Sequence, residues 1–364
     1  MKLRFLPPKQ KEIALFDASG LMEARSILKK DKYEIIYCRK ENINIFVLIK
    51  AILKKNFFFK KIDYYNQYLK EINPKIVITF NDNNDLFYKI DKDKIHSIAV
   101  QSGSRSYHND ILSRLKLIKK KYTIDNYFVF NNSFKKELSK FIDTKFEILG
   151  SPLNNNFKKK EYNFENTALY LSPFSYSTYS QFKNNKKKFY QFYEREINFI
   201  KKINIELKKK NIKLFILGKW RDSINKPIEK KFYNINDIKL IENYKDRKTF
   251  DIASKFQILI GYSSSTLTYE MLAREKKMIV LNRDYDHYPF VTKKFGYFSN
   301  LSSEGSFWTS SGDIKKFMKL FTNIRKKSKS EWKNILKKNK NYTCEYNFMN
   351  KKLKSHIKSI LENK

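Results

Sequence analysis

Short apolar runs alternate with longer stretches of helical periodicity along most of this chain. A run that short and that apolar fits a strand covered on both faces, and consecutive parallel strands need a helical crossover between them. The alternation therefore predicts βαβ units and a mostly parallel sheet. In the first half the predicted strands are Glu12 to Phe16, Glu34 to Cys38, Lys75 to Phe80, Ser97 to Gln101, Tyr127 to Phe130 and Phe146 to Leu149. Gly150-Ser151-Pro152 ends the last of them, and the polar tract Leu153 to Asn166 has no clear periodicity, which marks a domain boundary. A second alternation follows, with strands at Ala168 to Ser172, Lys213 to Leu217, Ile238 to Ile241, Phe256 to Gly261 and Lys277 to Leu281.

The expected fold is α/β: two doubly wound, Rossmann-like domains over 1–155 and 167–325 facing a cleft, then basic C-terminal helices over 326–364. With 364 residues and 41% hydrophobic content, two cores can be buried. Open parallel sheets bind ligands outside the carboxyl ends of their strands, so the loops that follow strands are where chemistry is sought.

The net charge of +39 would ordinarily point to nucleic acid or an anionic membrane. The cations are 65 Lys and only 11 Arg, spread over the whole length, whereas phosphate and base readers favour the Arg fork. Most of this charge is read as solvated surface, and nucleic acid is set aside as a partner. Two distant cysteines, Cys38 and Cys344, make neither a disulfide framework nor a metal site. The first residues hold Pro7 and Pro8 and no apolar core of a signal, and no run is long enough to span a bilayer, so a cytoplasmic protein is expected, with the inner face of the plasma membrane within its reach.

The sharpest motif is Gly261-Tyr262-Ser263-Ser264-Ser265-Thr266, between a predicted strand and a helix that carries Glu270. Amides at a helix start and several hydroxyls can cradle a phosphate, and Glu270 could accept from sugar hydroxyls. The plainer reading is a capped turn with a carboxylate near the helix dipole. Gly218-Lys219-Trp220-Arg221 ends another strand and could neutralise a leaving phosphate through Lys219 and Arg221. In the first half, Gln101-Ser102-Gly103-Ser104-Arg105-Ser106-Tyr107-His108 gathers Gln101 and Arg105 as acceptor contacts and His108 as a general base, or else a surface histidine. Asp17 is the second candidate base, with an N-cap as its alternative. No nucleotide P-loop, GxGxxG, HExxH, GxSxG or paired CxxC is present.

These segments in order, "IALFDASG", "QSGSRSYH", "DNYFVFN", "LGSPLNNN", "ALYLSP" and "ILIGYSSSTLTYEMLA", resemble the bacterial surface carbohydrate (O-antigen) biosynthesis proteins, which look like two-domain GT-B glycosyltransferases. The last segment is also similar to the serine-rich donor-phosphate turn of sialyltransferase-like, Kdo-transferase-like and glycerophosphotransferase families. The resemblance implies a nucleotide-sugar donor, CMP- or UDP-linked, whose phosphate Ser263, Ser264, Ser265 and Thr266 would hold. No further cofactor is expected, nor a metal, since a cradle of amides, hydroxyls and cations can offset the leaving-group charge unaided, and the acceptor is expected to be a glycan or lipid-linked glycan. Peripheral contact with an anionic membrane through the lysine-rich helices after Asp313 is compatible with this reading. Two rival functions remain open on the residues: a nucleotide-sugar epimerase of similar form, and a basic glycan- or nucleic-acid-binding protein without turnover.

Overall fold

A computed structural model describes residues 2–362 apart from 40, 56–57, 104, 106–109, 118–120, 163, 175–178, 181–182, 220–224, 236, 243–248 and 283–300. The chain divides into two units, one of Met1–Phe157 with Glu345–Lys364 and one of Lys158–Cys344.

The first unit contains β1 (Lys2–Arg4), β2 (Ile13–Phe16), β3 (Tyr33–Ile36), β4 (Asn42–Asn44), β5 (Ile76–Thr79), β6 (His96–Val100), β7 (Tyr122–Val129) and β8 (Ile142–Ile148). Six of these form one parallel sheet in the order β3-β2-β5-β6-β7-β8, and β1 pairs with β4 apart from it. Consecutive residues of β2 and of β5 are all buried, so both faces of the sheet are covered. The direction of winding reverses between β2 and β5, which places a topological switch at their carboxyl ends.

The second unit contains β9 (Phe164–Leu171), β10 (Lys213–Leu217), β11 (Lys239–Ile241), β12 (Phe256–Tyr262), β13 (Met278–Leu281) and β14 (Trp308–Thr309). All pair in parallel, in the order β11-β10-β9-β12-β13-β14. Counted within the unit this is 3-2-1-4-5-6, the Rossmann order, with its switch between β9 and β12. The expected pair of doubly wound sheets is thus found. Every predicted strand is present, while β1, β4 and β14 are two or three residues long and carry too little periodicity to announce themselves.

The residues after 326 do not form a segment of their own. The helices Ile314–Lys326 and Lys329–Lys338 bury Phe317, Phe321, Trp332 and Leu336 within the second unit. From Glu345 the chain returns to the first unit, where Leu353 and Ile357 of the helix Lys351–Glu362 join the core around Ile13, Ile76, Ile98 and Phe128. Burying two such side chains is worth about 1.5–3 kcal/mol each, more than the lysines of the opposite face cost in water. The "LGSPLNNN" motif is the clasp for this return. Asn155 donates to the Leu149 carbonyl at 3.0 Å and to Asn350 Oδ1 at 2.9 Å, and accepts from the Asn347 amide at 2.9 Å. Fully buried Asn350 donates in turn to the Pro152 carbonyl and to Asn156 Oδ1, each at 2.9 Å. Gly150 has φ +79°, and a Cβ there would lie 1.9 Å from the Glu345 carbonyl oxygen, so only glycine lets the returning strand pass.

Gly150→Ala is therefore expected to cost the first unit about 2 kcal/mol or more. Urea unfolding should show a lower midpoint for that unit, and an unchanged midpoint would contradict the close passage at Glu345.

Candidate functional site

In the second unit the strand β12 delivers the hydroxyl-rich turn to the carboxyl edge of the sheet, beside β9. Gly261, in the last turn of the strand, has Thr268 Oγ1 and Met278 Cε each 2.5 Å from where a Cβ would stand. The helix Thr266–Ala273 can lie this close to the sheet because that side chain is missing. Ser263 is buried, its amide donates to the Leu281 carbonyl at 3.0 Å, and its hydroxyl donates to Asn282 Oδ1 at 2.7 Å. It ties the ends of β12 and β13 together.

The next two serines are placed differently. Ser264 is exposed and Ser265 half-buried. Ser265 occupies the N-cap position with extended backbone, φ −90° and ψ 123°, but its side chain makes no capping bond. An N-cap serine normally spends its hydroxyl on an amide of the first turn. Here the Thr268 amide donates to the Ser265 carbonyl at 3.1 Å instead, which leaves the hydroxyls of Ser264 and Ser265 together at the switch point. Thr266 is half-buried, and Glu270 is buried one turn further in, outside the first turn.

Two buried glutamates that sequence reasoning missed support this edge. Glu229, on the helix Asn225–Phe232, accepts from the Ser172 hydroxyl at the end of β9 and from the Lys219 amide at the end of β10, 3.0 Å from each carboxylate oxygen. Gly218 keeps this contact open, since a Cβ there would sit 3.2 Å from Glu229 Oε2. The Lys219 side chain is exposed, while Arg221 lies outside the described residues. Glu196, on the helix Arg195–Lys208, accepts from the hydroxyls of both Tyr170 on β9 and Tyr262 on β12. The pair spans the switch. In sequence the only sign of it is a tyrosine in each of the two strands.

In the first unit, Asp17 follows β2 with φ 76° and is fully buried. Burial alone would raise its carboxyl, but donation from the Ser19 amide (2.9 Å) and hydroxyl (2.8 Å), Asn81 (2.7 Å) and Asn84 (3.0 Å) outweighs it and holds the group below its ordinary 3.8. A carboxylate so saturated is a poor proton acceptor, and Asp17 is corrected from candidate base to a tie between β2 and β5. Gln101 and Arg105 are corrected as well. Buried Gln101 donates to the Gly103 carbonyl and accepts from the Phe130 amide, both at 2.8 Å, so both ends of its amide are committed. Arg105 is buried against Asp82, with Nε at 2.9 Å from Oδ2 and a second bond to Oδ1. Burial disfavours its charge, yet the Asp82 carboxylate raises the guanidinium above its ordinary value. Tyr127 (2.8 Å) and the Ser102 amide (3.0 Å) complete the shell around Asp82. Gln101, Ser102 and Arg105 are thus pinned from beneath. His108 lies outside the described residues. Among the described residues no group of three His, Cys, Asp or Glu could hold a metal ion.

Two Rossmann-like units with a hydroxyl turn at one switch point define a GT-B-like protein, the class whose fold is shared by nucleotide-sugar glycosyltransferases and epimerases. The family model described as "putative O-antigen biosynthesis protein" matches residues 98–361, and the chain belongs to that family. Among solved structures it is similar to a Listeria monocytogenes protein described as a "putative UDP-N-acetylglucosamine 2-epimerase", at 11% identity and TM-score 0.52, covering 98% of this chain and 97% of that one. It is also similar to the UDP-GlcNAc 2-epimerase of Neisseria meningitidis bound to UDP-GlcNAc, at 15% identity and TM-score 0.51 over the whole of both chains. A glycosyltransferase from Rickettsia africae gives 13% identity and TM-score 0.49, with 97% and 100% covered. No curated protein matches the chain.

Removing one partner of the buried pair, as in Asp82→Ala, is expected to destabilise the first unit by about 3–5 kcal/mol, because the buried Arg105 guanidinium loses its bidentate counter-ion. The double change Asp82→Leu with Arg105→Met should cost much less, and equal losses would contradict the pairing. For Asp17 the native pKa lies below the unfolded one, so its contribution is complete above pH 3.8 and fades as the pH falls through the native value. Asp17→Asn should accordingly lower stability at neutral pH and flatten the acid limb of the stability curve, which denaturation at several pH values would measure.

Proposed function

We propose that the protein transfers a sugar from a nucleotide-activated donor to a glycan or lipid-linked glycan in the assembly of O-antigen-type surface polysaccharide. The observation that carries this reading is the turn after β12. Its Ser264 and Ser265 hydroxyls make no hydrogen bond among the described residues, at the very place where doubly wound sheets take anionic ligands. The donor is a CMP- or UDP-linked sugar held by the second unit. Attack by the acceptor oxygen on the anomeric carbon breaks the bond to phosphate, the nucleotide leaves with that electron pair, and the acceptor proton passes to a base, for which His108 is the remaining candidate. Such a displacement inverts the anomeric carbon. Amides, hydroxyls, Lys219 and Arg221 offset the charge on the departing phosphate, so no metal is required in this reading.

A thermal-shift screen of CMP, CDP, UDP, GDP and their sugar conjugates tests it. One nucleotide at about a hundred times its dissociation constant should add about 2.7 kcal/mol to the wild type, and Ser264→Ala with Ser265→Ala should abolish most of that gain without lowering the stability of the free protein. No stabilisation by any of them would favour a binding protein without turnover. Incubation of the stabilising donor by itself separates the remaining rival, since an epimerised sugar nucleotide would form without any acceptor. Activity abolished by EDTA and restored by Mg²⁺ would overturn metal independence.

A further inference from the structure

Among the described residues, exposed large apolar side chains gather most densely at one place. Of the fifteen among the described residues, seven lie within residues 3–6 and 49–58 of the first unit. The helix Ile45–Lys55 buries Val47 and Ala51 on one side and turns Ile49, Ile52 and Leu53 to solvent on the other, Leu53 being 71% exposed. These three are spaced three and four residues apart, so they form one face. Phe58, 82% exposed, follows the helix. At its other end β1 pairs with β4, the strand that leads into the helix, which places Leu3, Phe5 (67% exposed) and Leu6 (80%) alongside. Asn44 fixes this approach by donating to the Leu6 carbonyl at 2.9 Å.

Cations rim the patch. Lys50 lies over the Phe46 ring at 4.4 Å and pairs with Glu71, and Lys55 pairs with Asp63. Lys54, Lys60, Lys61 and Lys70 make no ion pair among the described residues. Lys54 and Lys70 stand close enough that the second holds the first below the ordinary lysine value, a repulsion that an anion would relieve. An apolar face with a lysine rim matches an anionic bilayer surface, where the aliphatic side chains enter the acyl boundary and the ammonium groups meet phosphate. No described helix is long and apolar enough to cross a membrane, so this contact is peripheral.

We propose that the first unit docks on anionic membrane through the outer face of the helix Ile45–Lys55 together with Leu3, Phe5, Leu6 and Phe58. The C-terminal helices, which sequence reasoning favoured for this role, spend Phe317, Phe321, Trp332, Leu336, Leu353 and Ile357 on the protein's own cores. A second copy of the chain would cover the apolar centre equally well but would bring the two lysine rims face to face, which argues for lipid.

The full-length protein would be floated with vesicles of phosphatidylcholine containing about a third phosphatidylglycerol, and with phosphatidylcholine alone. The wild type should bind the anionic vesicles, weaken at about 0.5 M salt, and bind neutral vesicles poorly. Ile49→Glu with Leu53→Glu, at positions that are already exposed, should fold normally and lower the partition coefficient about tenfold or more. Because Cys38 and Cys344 are both buried, Leu53→Cys also accepts an environment-sensitive dye at one place, and its emission should shift to the blue on the anionic vesicles. Absence of binding by the wild type overturns the proposal. So does equal binding by the glutamate variant, which would leave surface charge alone, or a wild-type dimer that the variant disperses. None of these readouts depends on turnover, so they stand apart from the donor-site test.

Discussion

A carboxylate placed at the carboxyl end of parallel strands must be given enough donors to replace water, and this structure meets that demand at both sheets. Asp17 and Asp82 stand at the edge of the first, Glu196 and Glu229 at the edge of the second, all of them buried. Each is bonded to groups from more than one strand or loop: Asp17 to Ser19, Asn81 and Asn84, Asp82 to Arg105 and Tyr127, Glu229 to Ser172 and Lys219, Glu196 to Tyr170 and Tyr262. Removing a donor leaves an ion in a medium of low polarity, so each carboxylate holds its strand ends in one arrangement. The loops that could contact ligand inherit their positions from these four anchors.

The same logic explains part of an unusual composition. Some of the lysines are not solvated surface at all. Lys92 donates to the carbonyls of Phe87, Tyr88 and Ile90, closing the end of the helix Leu86–Lys89. Lys276 donates to the Ser254 carbonyl and Lys277 to that of Arg325, each at a helix end. The last carbonyls of a helix lack partners and carry partial negative charge, so a buried ammonium group can be held there at modest cost. Burial still lowers Lys92 and Lys276 to about 8. Asparagine plays the matching part around residue 350, where its amide both donates and accepts and can therefore satisfy several backbone groups at once.

What could be read in the sequence follows from how local its cause is. Strands such as Ile13–Phe16 and Met278–Leu281 are buried on both faces, and uninterrupted apolar runs report that directly. The turn after Gly261 was legible because a glycine and four consecutive hydroxyl residues are rare in so short a span. The functions of Gln101, Arg105 and Asp17 were misjudged for a common reason. Polar residues clustered after a strand look alike whether they face a ligand or the underside of their own loop, and only tertiary partners such as Asp82, Phe130 and Asn81 decide between the two. Glu196 and Glu229 were invisible because a glutamate on an amphipathic helix gives no sign that its carboxylate is turned inward.

Ser263 and its two successors differ in how they spend their hydroxyls. A turn built only for stability would spend its side-chain oxygens on the backbone, as Ser151, Ser328 and Asp313 do at other helix starts in this chain, each accepting from a first-turn amide. Ser263 spends its hydroxyl on the Asn282 side chain at the end of β13, whereas Ser265 holds the capping position with the capping bond unmade. Forgoing such a bond costs about 1 kcal/mol, which the chain concedes at Asp85 before the short helix Leu86–Lys89 and again at Ser265. At Ser265 the concession coincides with a sheet switch point and with an adjacent exposed serine. A phosphate oxygen is suited to accept from the hydroxyls of both Ser264 and Ser265.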